Sequence, residues 1–106
     1  QDVINFYKKN SVSLFVNFSL FEGIPVSIME AMSFGIPILA ADVGGTSEIV
    51  IDGGVLLDKN FEIDKAVDSA KKIINNDDFR IMAKKDFNNL VNAKNNYTEF
   101  IKLFKE

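Results

Sequence analysis

The chain has 106 residues, 47% of them hydrophobic and 25% charged, with a formal net charge of −3. Six Gly and two Pro are too few for a collagen-like or low-complexity chain, and ten Phe are too many for a disordered one, which leaves one small globular unit. A pI of about 4.9 without basic runs offers no footprint for a nucleic-acid backbone or an anionic membrane surface.

There is no Cys and no His, so disulfides, thiolate metal sites and the commonest neutral-pH general base are all absent. Any chemistry falls to carboxylates, hydroxyls, lysines and backbone groups, and no metal or cofactor is expected. The chain opens on Gln1, with Val3, Ile4, Phe6 and Tyr7 already at helical spacing before any start signal. That is the pattern expected of a piece of a longer protein.

Residues 12–18 (VSLFVNF) are rich in β-branched and aromatic side chains and precede a polar turn at 19–23, so a buried strand is expected there. Pro25 suits the first position of a helix, because its missing N–H is not needed there and its φ is already helical. That helix is expected to reach about Phe34, with Gly35 as a left-handed C-cap and Pro37 barring continuation. Residues 38–41 (ILAA) read as a second, apolar strand.

Gly44, Gly45, Thr46 and Ser47 form a loop into a helical turn at 48–50, and Gly53-Gly54 breaks the chain before a third strand at 55–57. The period then becomes helical: Ile63, Ala66, Val67, Ala70, Ile73 and Ile74 fall on one stripe, with Asn60 as the expected N-cap. Residues 75–78 end this helix and start another through Ile81, Met82, Leu90 and Val91. A last helix is expected around Tyr97, Phe100, Ile101 and Phe104. The longest apolar stretches, such as 35–41, fall far short of the roughly 20 residues of a membrane span, and no leader pattern opens the chain.

Short buried strands alternating with helices imply parallel strands joined by crossovers, an α/β layer structure. In such sheets ligands sit at the carboxyl ends of strands, where the next helix offers free N–H groups to an anion. Residues 19–26 and 42–47 occupy that place. In the first, Glu22 lies in the loop, Gly23 lets the backbone approach a ligand, and Pro25 begins a helix on which Ser27, Glu30 and Ser33 form a polar stripe opposite Ile28 and Met32. A carboxylate at Glu30 is suited to two neighbouring hydroxyls, as on a ribose, and Glu22 to those of a second sugar. Spacing alone favours reading these as a loop carboxylate and an exposed helix glutamate, and reads Gly44-Gly45 as an ordinary turn.

The stretch FEGIPVSIMEAMSFGIPILAADVGGTSEIV, residues 21–50, closely resembles the nucleotide-sugar-binding segment of family 4 glycosyltransferases of the GT-B fold. The matching elements are Glu22 and Glu30 as an E-x7-E pair, Glu-Gly-x-Pro from Glu22, Glu-Ala-Met from Glu30, Gly-x-Pro from Gly35, and Gly-Gly-x-x-Glu from Gly44. The resemblance implies a partial Rossmann-like parallel sheet with flanking helices and a helical C-terminus. Residues 1–106 would then be a single fragment, the latter part of a C-terminal donor-binding domain that normally has about six parallel strands.

It also implies a retaining transferase that moves a sugar from a nucleoside diphosphate sugar to an acceptor hydroxyl in polysaccharide or glycolipid synthesis, the donor being a substrate and not a cofactor. Glu22 is then the residue at the donor sugar's hydroxyls near the reacting centre, and Glu30 the residue at the ribose hydroxyls. Gly23, Ile24, Pro25 and Val26 face the sugar and diphosphate through the backbone, and Gly44, Gly45 and Thr46 line the cleft. Expected partners are the upstream strands and an N-terminal acceptor domain of the parent chain, at a cytoplasmic location that extends to the inner face of the membrane. The Arg and Lys that neutralise the diphosphate in this family have no match in residues 1–11, and residues 51–57 are shorter than the usual link to the last strand. Two alternatives share the fold: a UDP-sugar epimerase, and a non-catalytic partner subunit.

Overall fold

A computed structural model describes residues 2–18 and 26–93. The elements follow in the order α1 (Asp2–Lys9), β1 (Phe15–Asn17), α2 (Val26–Ser33), β2 (Ile38–Ala41), α3 (Thr46–Ile49), β3 (Gly54–Leu57), α4 (Ile63–Ile74) and α5 (Asp78–Ala93). The strands form a three-stranded parallel sheet in the order β1-β2-β3. The α/β class and the partial Rossmann-like arrangement expected from the sequence are therefore present; the helix expected around Tyr97 lies outside the described residues.

β2 is buried along its whole length because helices cover both of its faces. Side chains alternate across a strand, so Ile38 and Ala40 join Ile28, Met29 and Met32 of α2, Ile49 of α3, and Phe87 and Leu90 of α5. Leu39 turns the other way, into a second cluster with Leu57 and with Ala66 and Ile73 of α4. The rings of Phe18 and Phe61, 4.5 Å apart, close this second layer.

The end of α2 follows the expected chemistry. Gly35 has φ +69, its N–H bonds to the Met32 carbonyl at 2.9 Å, and the Ile36 N–H reaches back to the Ala31 carbonyl at 3.2 Å. These two bonds satisfy carbonyls that the last turn leaves free, in the Schellman pattern.

Four expectations are corrected. The first strand is shorter and less buried than residues 12–18 suggest: only Phe15, Val16 and Asn17 pair with β2, and Val16 is 48% exposed, since α4 packs chiefly over β2 and β3. Gly54 does not break the chain; it pairs with Ile38 as the first residue of β3, where a Cβ would meet the Ile38 carbonyl oxygen at 2.2 Å. The short helix begins at Thr46 and not at 48, since Gly45 is its N-cap. The N-cap of α4 is Glu62, without a side-chain bond; Asn60 instead gives its N–H to Asp58 Oδ1 at 2.9 Å in a local turn.

α5 fastens the edge where the strands begin. Asp86, 4% exposed, accepts N–H bonds from Ile51, Asp52 and Gly53 on Oδ2 alone, at 3.0, 3.0 and 2.8 Å. Arg80 Nη1 donates to the Val12 carbonyl at 2.7 Å, and the Lys84 ammonium to the Ser33 carbonyl at the end of α2. The last contact also complements the negative end of that helix.

Asp86→Ala leaves three inward N–H groups without an acceptor and is expected to cost on the order of 3 kcal/mol, read from the urea midpoint of the intact protein. Gly53→Ala brings a Cβ to 2.3 Å from Ala83 Cα and 2.5 Å from its nitrogen. Crowding of this kind costs roughly 1–3 kcal/mol. Since the clash is with backbone, adding Ala83→Gly should not restore stability.

Candidate functional site

The carboxyl ends of the three strands lead into Phe18, Asp42 and Asp58. Glu22, Gly23, Ile24 and Pro25 lie outside the described residues. Val26, 38% exposed, opens α2 at this edge, and Glu30 follows one turn further on.

Glu30 is not an exposed helix glutamate; only 9% of it is accessible. Every residue of α2 from Ile28 to Ser33 is buried, so the stripe of Ser27, Glu30 and Ser33 is divided, with Ser27 in solvent and the other two inside. The Ser33 hydroxyl donates to the Glu30 carbonyl at 2.7 Å, which helps to close the end of the helix. Burial pushes the Glu30 carboxyl above its ordinary value, because the charged form loses its hydration.

Tyr7 of α1 is the nearby residue that the sequence reading passed over. It is half-buried, its ring lies 5.4 Å from that of Phe34, and its phenol is pushed up by burial and then by the negative charge of Glu30. In the sequence it stands out only by its helical spacing with Val3, Ile4 and Phe6. The neighbouring Lys8 and Lys9 are exposed in the last turn of α1.

The second segment crosses the same edge after β2. The Asp42 N–H donates to the Leu57 carbonyl at 2.8 Å, continuing the ladder one step past β2. Gly44 turns the chain with φ +55 and faces solvent, whereas Gly45 is half-buried. Thr46 is 1% exposed, and its hydroxyl donates to the Val43 carbonyl at 2.8 Å. Gly44, Gly45 and Thr46 thus follow the carboxyl end of β2, Val26 opens α2, and Glu30 lies buried within that helix. Among the described residues no group of three or more carboxylates could hold a metal ion, and no helix is long and apolar enough to cross a membrane.

A family model described as glycosyl transferases group 1 matches residues 1–102. The chain belongs to this family. Among its relatives is the Escherichia coli O-antigen biosynthesis glycosyltransferase WbnH, 38% identical over 72 residues, covering 63% of this chain and 21% of the relative. A second is the Escherichia coli UDP-Gal:alpha-D-GlcNAc-diphosphoundecaprenol alpha-1,3-galactosyltransferase, 32% identical over 96 residues, covering 89% and 24%. The Vi polysaccharide biosynthesis protein VipC/TviE of Salmonella typhi is 33% identical over 73 residues, covering 65% and 13%. The chain therefore spans a quarter or less of the length of these relatives. No solved structure gives a significant match.

The raised Glu30 carboxyl fixes a sign for stability in this group 1 domain. The folded state holds that proton more tightly than the unfolded chain does, so ionising it costs stability; the cost is absent below the ordinary value of 4.5, grows above it, and is complete once pH passes the folded value. Glu30→Gln is accordingly expected to raise Tm near neutral pH and to lose that advantage in acid, checked by thermal melts across the acidic range.

Proposed function

We propose that residues 1–106 are part of the C-terminal, donor-binding domain of a retaining GT-B glycosyltransferase. In this reading it transfers a sugar from a UDP-, GDP- or ADP-sugar to an acceptor hydroxyl in the synthesis of a surface polysaccharide or glycolipid. The observation that carries the proposal is Glu30: a glutamate buried on α2, the helix that follows β1 in a parallel sheet of the class that binds nucleotides at its strand ends. A buried carboxylate is costly unless something hydrogen-bonds to it, and a vicinal diol supplies two donors at the spacing of its two oxygens.

Glu30 then holds the ribose. Glu22 meets the donor sugar's hydroxyls near the reacting carbon, and the backbone of Gly23, Ile24, Pro25 and Val26 faces the sugar and diphosphate at the start of α2. Negative charge on the leaving diphosphate is stabilised by N–H groups there and by basic residues of the parent chain. Gly44, Gly45 and Thr46 line the cleft. The donor is a substrate, and neither metal nor cofactor enters the reaction. The names of the O-antigen and Vi polysaccharide relatives support the product class.

The parent chain, on this reading, adds upstream strands beside β1 and an N-terminal domain for the acceptor, works in the cytoplasm, and meets lipid-linked acceptors at the inner face of the membrane. The 106-residue piece alone is expected to be inactive. In the parent enzyme, Glu30→Ala should weaken nucleotide binding about 10- to 100-fold, the worth of charge-assisted hydrogen bonds. Glu22→Ala should abolish transfer while leaving the sugar-free nucleotide bound. Calorimetric titration with UDP, GDP and ADP, together with a transfer assay, checks both; unchanged affinity after Glu30→Ala would remove the ribose assignment.

A further inference from the structure

Asp52-Gly53 is the one Asp-Gly pair in the chain, and no Asn-Gly pair occurs. Such a pair carries chemistry of its own. The Gly nitrogen attacks the carbon of the Asp side-chain carboxyl and surrenders its proton, and one carboxyl oxygen leaves as water. Hydrolysis of the resulting succinimide ring restores aspartate or leaves isoaspartate, in which the main chain runs through the former side chain. Glycine favours the ring because it crowds it least and leaves the backbone free to turn.

Here those freedoms are withdrawn. The Gly53 N–H donates to Asp86 Oδ2 at 2.8 Å, beside the Ile51 and Asp52 N–H groups on the same oxygen. The Gly53 carbonyl accepts the Ile38 N–H at 3.1 Å, and its Cα lies too close to the Ala83 backbone for any added Cβ. The Asp52 side of the reaction is open, since that residue is exposed. Its nucleophile is what the fold holds. To attack, the Gly53 nitrogen would break its bond to Asp86 and build negative charge next to a carboxylate oxygen.

We propose that Asp52 is a latent modification site closed by Asp86: the Asp52-Gly53 bond is inert while the three N–H groups sit on Oδ2, and it isomerises to isoaspartate when that contact opens. The change is a dehydration followed by a hydration, with water as the only co-reactant. Its product does not close again. Isoaspartate places one extra carbon in the main chain between the Asp52 and Gly53 nitrogens, so these N–H groups no longer converge on one oxygen, and the contact that ties α5 to the start of β3 is lost. Reactions of a locally open state proceed in proportion to its population, so isomerisation reads how often this contact opens.

The test uses the full-length enzyme held at neutral pH, with isoaspartate quantified by enzymatic carboxyl methylation and located by mass spectrometry. A peptide of residues 48–58 serves as the unstructured reference. Asp52 in the folded enzyme is expected to isomerise more slowly than in the peptide by about tenfold or more, and Asp86→Ala to close most of that gap. Asp86→Asn keeps an acceptor oxygen without the charge and should fall between. Adding Asp52→Glu to Asp86→Ala should remove the signal, because the longer side chain would have to close a six-membered ring. If Asp86→Ala does not fold, the wild-type enzyme in urea below its unfolding transition carries the test: isoaspartate at Asp52 should rise in step with hydrogen exchange of the Gly53 amide. Isomerisation in the folded enzyme as fast as in the peptide overturns the proposal. So do Asp86 variants that leave the rate unchanged or lower it, the latter being the mark of a carboxylate that takes the Gly53 proton as a base.

Discussion

The arrangement of the domain depends on one oxygen atom. Asp86 Oδ2 accepts three successive backbone N–H groups from the loop that enters β3. Successive N–H groups pointing inward form a concave site for negative charge, and here the protein fills it with its own carboxylate. Burying Asp86 is tolerable because three donors replace its water. In return, α5 is held to the beginning of β3, close enough that Gly53 has no room for a Cβ against Ala83.

The other polar bonds of α5 fall on the same side. Arg80 reaches the residue that precedes β1 by three positions, and Lys84 reaches the carbonyl that ends α2. All three therefore act where strands begin and where α2 finishes, away from the strand ends that lead into Phe18, Asp42 and Asp58. Fastening one edge leaves the opposite edge to the connections that follow the strands, among them Asp42 to Gly45 before α3. The described part of the family segment, residues 26–50, thus lies on a sheet tied down by a helix that begins 28 residues further along the chain and holds none of the motif.

What could be read from the sequence was what neighbours in the chain decide. Gly35 and Pro37 end α2 by constraints that act over a few residues, and the pattern of Ile38 to Ala41 needs only its own apolarity to be recognised as a strand. Where two local solutions competed, the reading erred: Asn60 is a good N-cap, but Asp58 two residues earlier already holds its N–H, and α4 starts later. Gly54 looks like a break, yet it is the strand residue whose missing side chain lets β3 approach Ile38. Asp86, Arg80 and Lys84 were invisible in function because their partners lie 33 to 68 positions away. The motif located Glu30, but a helical stripe of Ser27, Glu30 and Ser33 suggests a wet face; that Glu30 and Ser33 are buried is a property of the packed domain and not of the helix.

Glu30 shows why that cover matters. An exposed glutamate on the same helix would cost nothing to ionise and would hold a sugar only weakly, since water competes for both oxygens. Inside α2 the same carboxylate resists ionisation, and the folded state bears that cost whenever the site is empty. On the proposed ribose role, donors that arrive with a ligand relieve it, so part of the penalty returns as binding free energy, and a neutral amide in its place would stabilise the empty domain while surrendering that gain. A carboxylate whose ionisation is disfavoured inside α2 costs the fold stability, and on the proposed ribose role that cost is offset when a diol binds.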